Sequence, residues 1–194
     1  MKYIHEIENK YQFRIPKEYL SLYERGCFNL NNPKHYSDLI NDQYLWVNEL
    51  EWIHPSKIIT YRCEEQIKKQ FVPFAFNGAG ELWCWAPNEN NVLGVPIVLC
   101  DNIGSGTFEA PNFISLIFQQ ILMLIEYEKS EYLKPYLKRY LRDFNNMFSE
   151  SWLYELTRAN KIKEINVSEG YYELKYKELV NYDRHNEDFK WHHS

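Results

Sequence analysis

The sequence predicts a mixed α/β domain built on an antiparallel meander, and three observations lead there. Three β-rich runs, Phe71–Phe76, Glu81–Ala86 and Val95–Cys100, are joined by short turns. Phe113–Ile125 is apolar on every side of a helix, so it needs cover on more than one face. Beyond it, Leu133, Tyr136, Leu137, Tyr140, Leu141, Phe144 and Phe148 mark a further helical stripe.

The elements follow in chain order. Ile4, Ile7, Tyr11 and Phe13 suit a short amphipathic helix. In "RIPKEYLSLYERG", Pro16 suits the first helical position and Gly26 the C-terminal cap. Asn29–Asp42 reads as a loop. Tyr44–Ile53 reads as one strand, or as two broken by a turn at Asn48, and His54-Pro55 ends it. Short helical segments are expected at Ser56–Ile59 and Glu64–Gln70.

Asn77-Gly78 is a hairpin signal, because both residues tolerate positive φ. Asn102–Gly106 reads as a flexible loop, after which Pro111-Asn112 opens the apolar helix. Pro135 predicts a break near Lys134 with a new helix starting at the proline. Trp152, Leu153, Leu156 and Ala159 predict another helix, with Ser151 as a cap. Tyr171–Tyr182 fits either a strand or a helix. The C-terminal stripe is expected to pack on Ile117, Ile121 and Leu124, as a layer of the same domain rather than a separate one.

Composition narrows the function. The chain has 194 residues, 45% hydrophobic and 17% aromatic, enough for a core with apolar surface to spare for an interface. Its longest apolar run is well short of the roughly 20 residues that cross a bilayer, so no membrane partner is expected. The N-terminal segment is polar, and Cys27, Cys63, Cys84 and Cys100 form no C-x-x-C pair. The expectation is a cytoplasmic protein with reduced thiols.

Residues 36–128 hold four basic against twelve acidic side chains, a net −8 within a chain of −5. That balance argues against nucleic-acid phosphates and suits a basic partner protein; a solvated acidic face is the plainer alternative.

No motif for chemistry survives inspection. Gly78-Ala79-Gly80 lacks the Lys of a Walker loop and the third glycine of a dinucleotide loop, and Glu81 would repel phosphate. The histidines cluster only in the terminal "RHNEDFKWHHS", and no Cys/His pair has zinc spacing. Glu173-Leu174-Lys175 matches a nuclease-like E-x-K but has no upstream Asp on a strand. The chain therefore reads as no enzyme, with no cofactor and no metal. Trp83 and Trp85 share one face of a strand, as core or as partner-facing anchors.

Three segments together resemble the SUKH superfamily, which takes in Smi/Knr-like cell-wall regulators and many bacterial immunity proteins. "IHEIENKYQFRIPKEYLSLYERG" is similar to its opening helices, with Pro16 and Tyr19 in the x-Pro-x-x-Tyr arrangement. "FVPFAFNGAGELWCWAPN" is similar to its strand-Gly-strand unit, with Gly80 as the glycine. "VPIVLCDNIGSGTFEAPNFISLIFQQIL" is similar to its closing strand, acidic loop and helix, with Ala110 and Phe113 in place. Glu81 stands where the family often has Asp, and Arg25-Gly26-Cys27 where it commonly has Asn-Gly-Gly.

The resemblance covers residues 1–128 and leaves 129–194 as a C-terminal extension. It implies an α+β fold, a mostly antiparallel sheet backed by helices, and a non-catalytic protein that neutralises a cognate toxin, some such toxins being nucleases. Candidate partner-binding residues are Glu49, Glu51, Glu81, Glu89, Asp101 and Glu109, with Trp83 and Trp85 as aromatic anchors. The rival readings are a regulatory interaction module and an enzyme with dispersed residues.

Overall fold

The structure, a computed structural model, describes residues 2–28, 47–60, 71–87, 94–100, 106–127, 130–161 and 170–180, with backbone alone at 130–132. Two helices open the chain, α1 (Lys2–Tyr11) and α2 (Lys17–Glu24), burying Ile4, Ile7, Tyr19 and Leu22. Pro16, expected at the first helical position, is instead the N-cap of α2, one residue before the helix begins at Lys17. Gly26 closes α2 at φ +67°, its N–H donating to the Tyr23 carbonyl (3.0 Å) while Cys27 N–H donates to that of Leu22 (2.9 Å). That double bond pattern needs a left-handed residue, which glycine supplies without a Cβ clash.

The expected strand at 44–53 is short where it is described. Val47–Leu50 is a turn, with Glu49 at φ +55°, and only β1 (Glu51–Trp52) is extended before α3 (Pro55–Thr60). The expected loop at 29–42 and helix at 64–70 lie outside the described residues. Next come β2 (Val72–Phe76), β3 (Leu82–Trp85), β4 (Ile97–Cys100) and β5 (Gly106–Ala110). The sheet runs β1-β2-β3-β4-β5, every pair antiparallel. Pro73 is tolerated in β2 because β1 pairs only with Ala75 and Phe76, leaving the proline nitrogen outside that ladder.

β5 is a strand the sequence reading did not contain. It starts on a glycine that composition assigns to a loop, and its register sets Gly106 opposite Cys100. A Cβ at Gly106 would come within 2.9 Å of Val98 Cγ1, so only glycine allows this close approach.

The apolar helix is α4 (Phe113–Tyr127), buried nearly all round as its composition requires. Asn112 caps it, its Oδ1 accepting the Ser115 N–H (2.9 Å). Three more helices follow among the described residues: α5 (Ser130–Asp143), α6 (Glu150–Lys161) and α7 (Tyr171–Val180). Pro135 lies inside α5 rather than starting it. A proline inside a helix costs about 3 kcal/mol, through one lost hydrogen bond and the ring's clash with the preceding turn. Burial of Leu133, Leu137 and Tyr140 on the same helix, at about 1.5–3 kcal/mol each, exceeds that.

Ser149, not Ser151, caps α6, its Oγ accepting the Trp152 N–H (3.4 Å). The segment left open between strand and helix is the helix α7, which packs along α4. Glu126 near the end of α4 accepts the Gly170 (3.1 Å) and Tyr172 (2.8 Å) N–H groups, satisfying free donors at the α7 N-terminus. Phe118 of α4 stacks on Trp152 of α6, centroids 4.4 Å apart, and Leu133, Leu137 and Tyr140 of α5, with Phe144 just after it, join the same core. The described residues thus form an α+β fold, a five-stranded antiparallel sheet with seven helices, the C-terminal part helical. Among them no helix is long and apolar enough to cross a membrane.

Candidate functional site

The β2–β3 hairpin answers the question posed by Gly78-Ala79-Gly80. Asn77 pairs with Glu81 across a three-residue loop: Asn77 N–H donates to the Glu81 carbonyl and Gly80 N–H to that of Asn77, both at 3.0 Å. The left-handed residue is Gly80, at φ +81°, while Asn77 and Gly78 keep ordinary backbone angles. This is a tight turn followed by a left-handed residue, not the two-residue turn that Asn-Gly suggests. Asn77 Oδ1 accepts the N–H groups of Ala79 (3.1 Å) and Glu81 (2.8 Å), and Glu49 Oε2 accepts that of Gly78 (2.9 Å). Every N–H that might cradle a phosphate here already has an acceptor within the protein.

The same bonds place three of the candidate acids. Glu49 turns the chain and holds the hairpin tip, and its carbonyl accepts the Trp83 indole N–H (2.8 Å). Glu81 accepts Asn77 Nδ2–H (2.6 Å). Glu51 is exposed on β1 opposite Phe76, which in turn faces Leu82. Glu49, Glu51 and Glu81 therefore all lie at the hairpin end of the sheet, beside its β1 edge, but the register sets Glu51 on the face opposite Glu81. Glu109 does not join them. It stands on β5, accepting the Thr107 hydroxyl (2.9 Å), four strand spacings or about 19 Å across the sheet. Glu89 and Asp101 lie outside the described residues.

Trp83 and Trp85 are not partner-facing anchors. They are 3% and 0% exposed. Trp85 packs against Phe74 (centroids 4.6 Å), Tyr19 (5.0 Å), Phe13 (5.7 Å) and Phe113 (6.5 Å). Its face thus meets α2 and the start of α4, not the C-terminal layer. The apolar residues on both sides of β3 reflect cover on both faces.

Two polar groupings join pairs one to four residues apart to a partner far along the chain, Arg25 in one and Tyr171 in the other, and that distant partner had no sequence signal. Asp143, buried at the end of α5, receives Arg142 (Nε 2.8 Å, Nη2 3.2 Å), Arg139 (Nε 3.4 Å) and Arg25 (Nη2 3.3 Å); Arg25 Nη1 also donates to its carbonyl (3.0 Å). Burial works to raise this carboxyl, but its bonds to Arg142 and the charges of Arg142 and Arg139 outweigh it and hold it below the usual range. Glu155 of α6 is bonded by Arg158 and the Tyr171 hydroxyl. Burial again opposes, and those two bonds again hold the carboxyl low. Beside the Asp143 group, burial pushes the Cys27 thiol up.

Other arrangements that resemble chemistry resolve into structure. Ser56 Oγ lies 2.8 Å from His54 Nδ1, but the same nitrogen accepts the Ser56 N–H (3.2 Å), so His54 caps the start of α3. Glu173 and Lys175 sit on α7, where residues two apart do not face each other. An open cleft of about 710 Å³ lies between Glu8, Gln12, Phe13 and Arg14 on one side and Pro87 and Val95 on the other. Its Glu8 carboxylate is committed to Arg14 (3.0 Å) and the Ile15 N–H (3.2 Å). Among the described residues no group of three or more His, Cys, Asp or Glu is placed to hold a metal.

Compared with protein-family models, curated proteins and solved structures, the chain matches none.

Proposed function

We propose that the chain is a non-catalytic binding protein of the SUKH immunity type, neutralising a basic cognate toxin in the cytoplasm through the hairpin end of its sheet. The observation that supports this reading is that Glu49 and Glu81 hold a hydrogen-bonded turn, with Glu51 exposed on the adjoining edge strand. Carboxylates presented on a rigid turn lose little freedom on binding, and they steer a basic surface such as a nuclease groove into register. With Trp83 and Trp85 in the core, the acids and the exposed hairpin backbone carry recognition.

The test is co-expression with the toxin encoded beside the gene. Wild type is expected to protect growth and to form a complex on mixing. Glu51→Lys is the cleanest reversal, since Glu51 is exposed while Glu49 and Glu81 also hold the turn. It is expected to slow association, with an effect that fades as salt rises. Glu109→Lys, on the far edge, is expected to do less. Absence of protection and of complex sinks the immunity reading; a larger effect at Glu109 moves the site to the other edge.

A further inference from the structure

In an acidic protein, one helix carries the opposite charge. α5 holds Lys134, Lys138, Arg139 and Arg142, and Arg25 reaches its C-terminal end from α2. Lys134, Lys138 and Arg142 are spaced four residues apart, so they form one ridge about 12 Å long on the helix surface. Lys138 and Arg142 are exposed, and Lys134 is half-buried. The described carboxylate at this ridge is Asp143, whose two oxygens are already taken by three guanidinium groups. Lys134 and Lys138 make no ion pair with a described residue.

We propose that this ridge is a second interaction surface, which binds a carboxylate-bearing peptide segment of a partner protein. It is independent of the hairpin end and does not rest on the toxin reading. Asp143 acts there as a positioning group: it fixes Arg142 and Arg25 at the end of the ridge. Arg142 is 71% exposed even while bonded.

Charge decides between classes of anionic partner. An extended polyanion, whether nucleic acid or anionic bilayer, also meets the field of a chain whose net charge is −5. That field reaches about 8 Å in physiological salt, comparable with the ridge itself. A short acidic segment touches the ridge alone and escapes this repulsion.

The experiment uses the full chain and a fluorescent oligoglutamate peptide, read by anisotropy at low and physiological salt. Wild type is expected to bind the peptide, and Lys134→Glu with Lys138→Glu to weaken it about tenfold or more, equivalent to about 1.4 kcal/mol. Lys134→Gln with Lys138→Gln is expected to give a smaller loss. Unchanged thermal melting shows that both variants fold. A single-stranded oligonucleotide and phosphatidylserine vesicles run in parallel and are expected to bind more weakly. Peptide binding that is absent, or indifferent to both double variants, overturns the proposal. So does an oligonucleotide or vesicle that binds more tightly than the peptide and loses that binding in the same variants.

Discussion

Around Trp85, where β3 meets α2 and the start of α4, the contacts are rings against rings. Tyr19, Phe74 and Phe113 surround the indole, and no charged group enters. Around α5, α6 and α7 the core is apolar too, but carboxylates, Asp143 and Glu155 buried and Glu126 half-buried, tie the helices in place. Asp143 joins α5 to α2 through Arg25, Glu155 joins α6 to α7 through Tyr171, and Glu126 caps α7 from α4. The ring cluster around Trp85 is held by forces that hardly respond to pH. The helical layer adds forces that do, with directional bonds that set the angle at which each helix docks.

The largest effect expected is from removing one side of this comparison. A chain ending at Glu128 exposes Phe118, Leu122 and Ile125, all buried in the whole protein. At about 1.5–3 kcal/mol per side chain this consumes most of a typical margin of about 5–15 kcal/mol. The fragment is expected to aggregate or to melt without cooperativity; a soluble, cooperative 1–128 would show that the sheet region stands alone.

Trp85→Ala comes next. It empties the middle of the ring cluster and is expected to cost about 3–5 kcal/mol in urea unfolding. The loss should be the same at pH 5 and pH 7, because no titrating group is involved.

Asp143→Ala strands three guanidinium groups and is expected to cost up to about 3 kcal/mol, below the range for a fully buried pair because Arg142 is largely in water. This one depends on pH. The Asp143 and Glu155 carboxyls lie below their ordinary values in the fold, so their stabilisation is complete above the unfolded values near pH 4. It is lost as pH falls through the depressed folded values, and the gap between wild type and Asp143→Ala should narrow with it. A gap constant down to pH 2.5 would show that the ionic ties are incidental.

The smallest effect is at the hairpin. A Cβ on Gly80 meets nothing within 4 Å, but φ +81° strains any other residue, so Gly80→Ala is expected to cost about 1 kcal/mol. Gly80→Asn should cost less, since Asn tolerates the left-handed region.

Much of the candidate site was legible in the residues. The hairpin strands, the turn between them and the acids beside it were all readable, although the left-handed residue proved to be Gly80 rather than Asn77-Gly78. The orientation of the tryptophans was not. Apolar residues on both sides of β3 require cover on two faces, and nothing local says whether a partner or the protein's own helices provide it.

From residues alone came the features that depend on neighbours in the chain: the cap at Gly26, the β2–β3 pair, the burial of α4 and the helical character of α6. Such features arise from backbone preference and periodicity over a few residues, and these are written locally. Tertiary structure decided the rest. It made Gly106–Ala110 an edge strand, because β4 offered a ladder that only a glycine could approach. It carried α5 through Pro135, because the buried stripe outweighs what the proline costs. It set Tyr171–Val180 as a helix along α4, and it brought Arg25 to Asp143 across 118 residues of chain. A contact between distant residues leaves no periodicity behind, so only the folded chain can reveal which carboxylate meets which guanidinium.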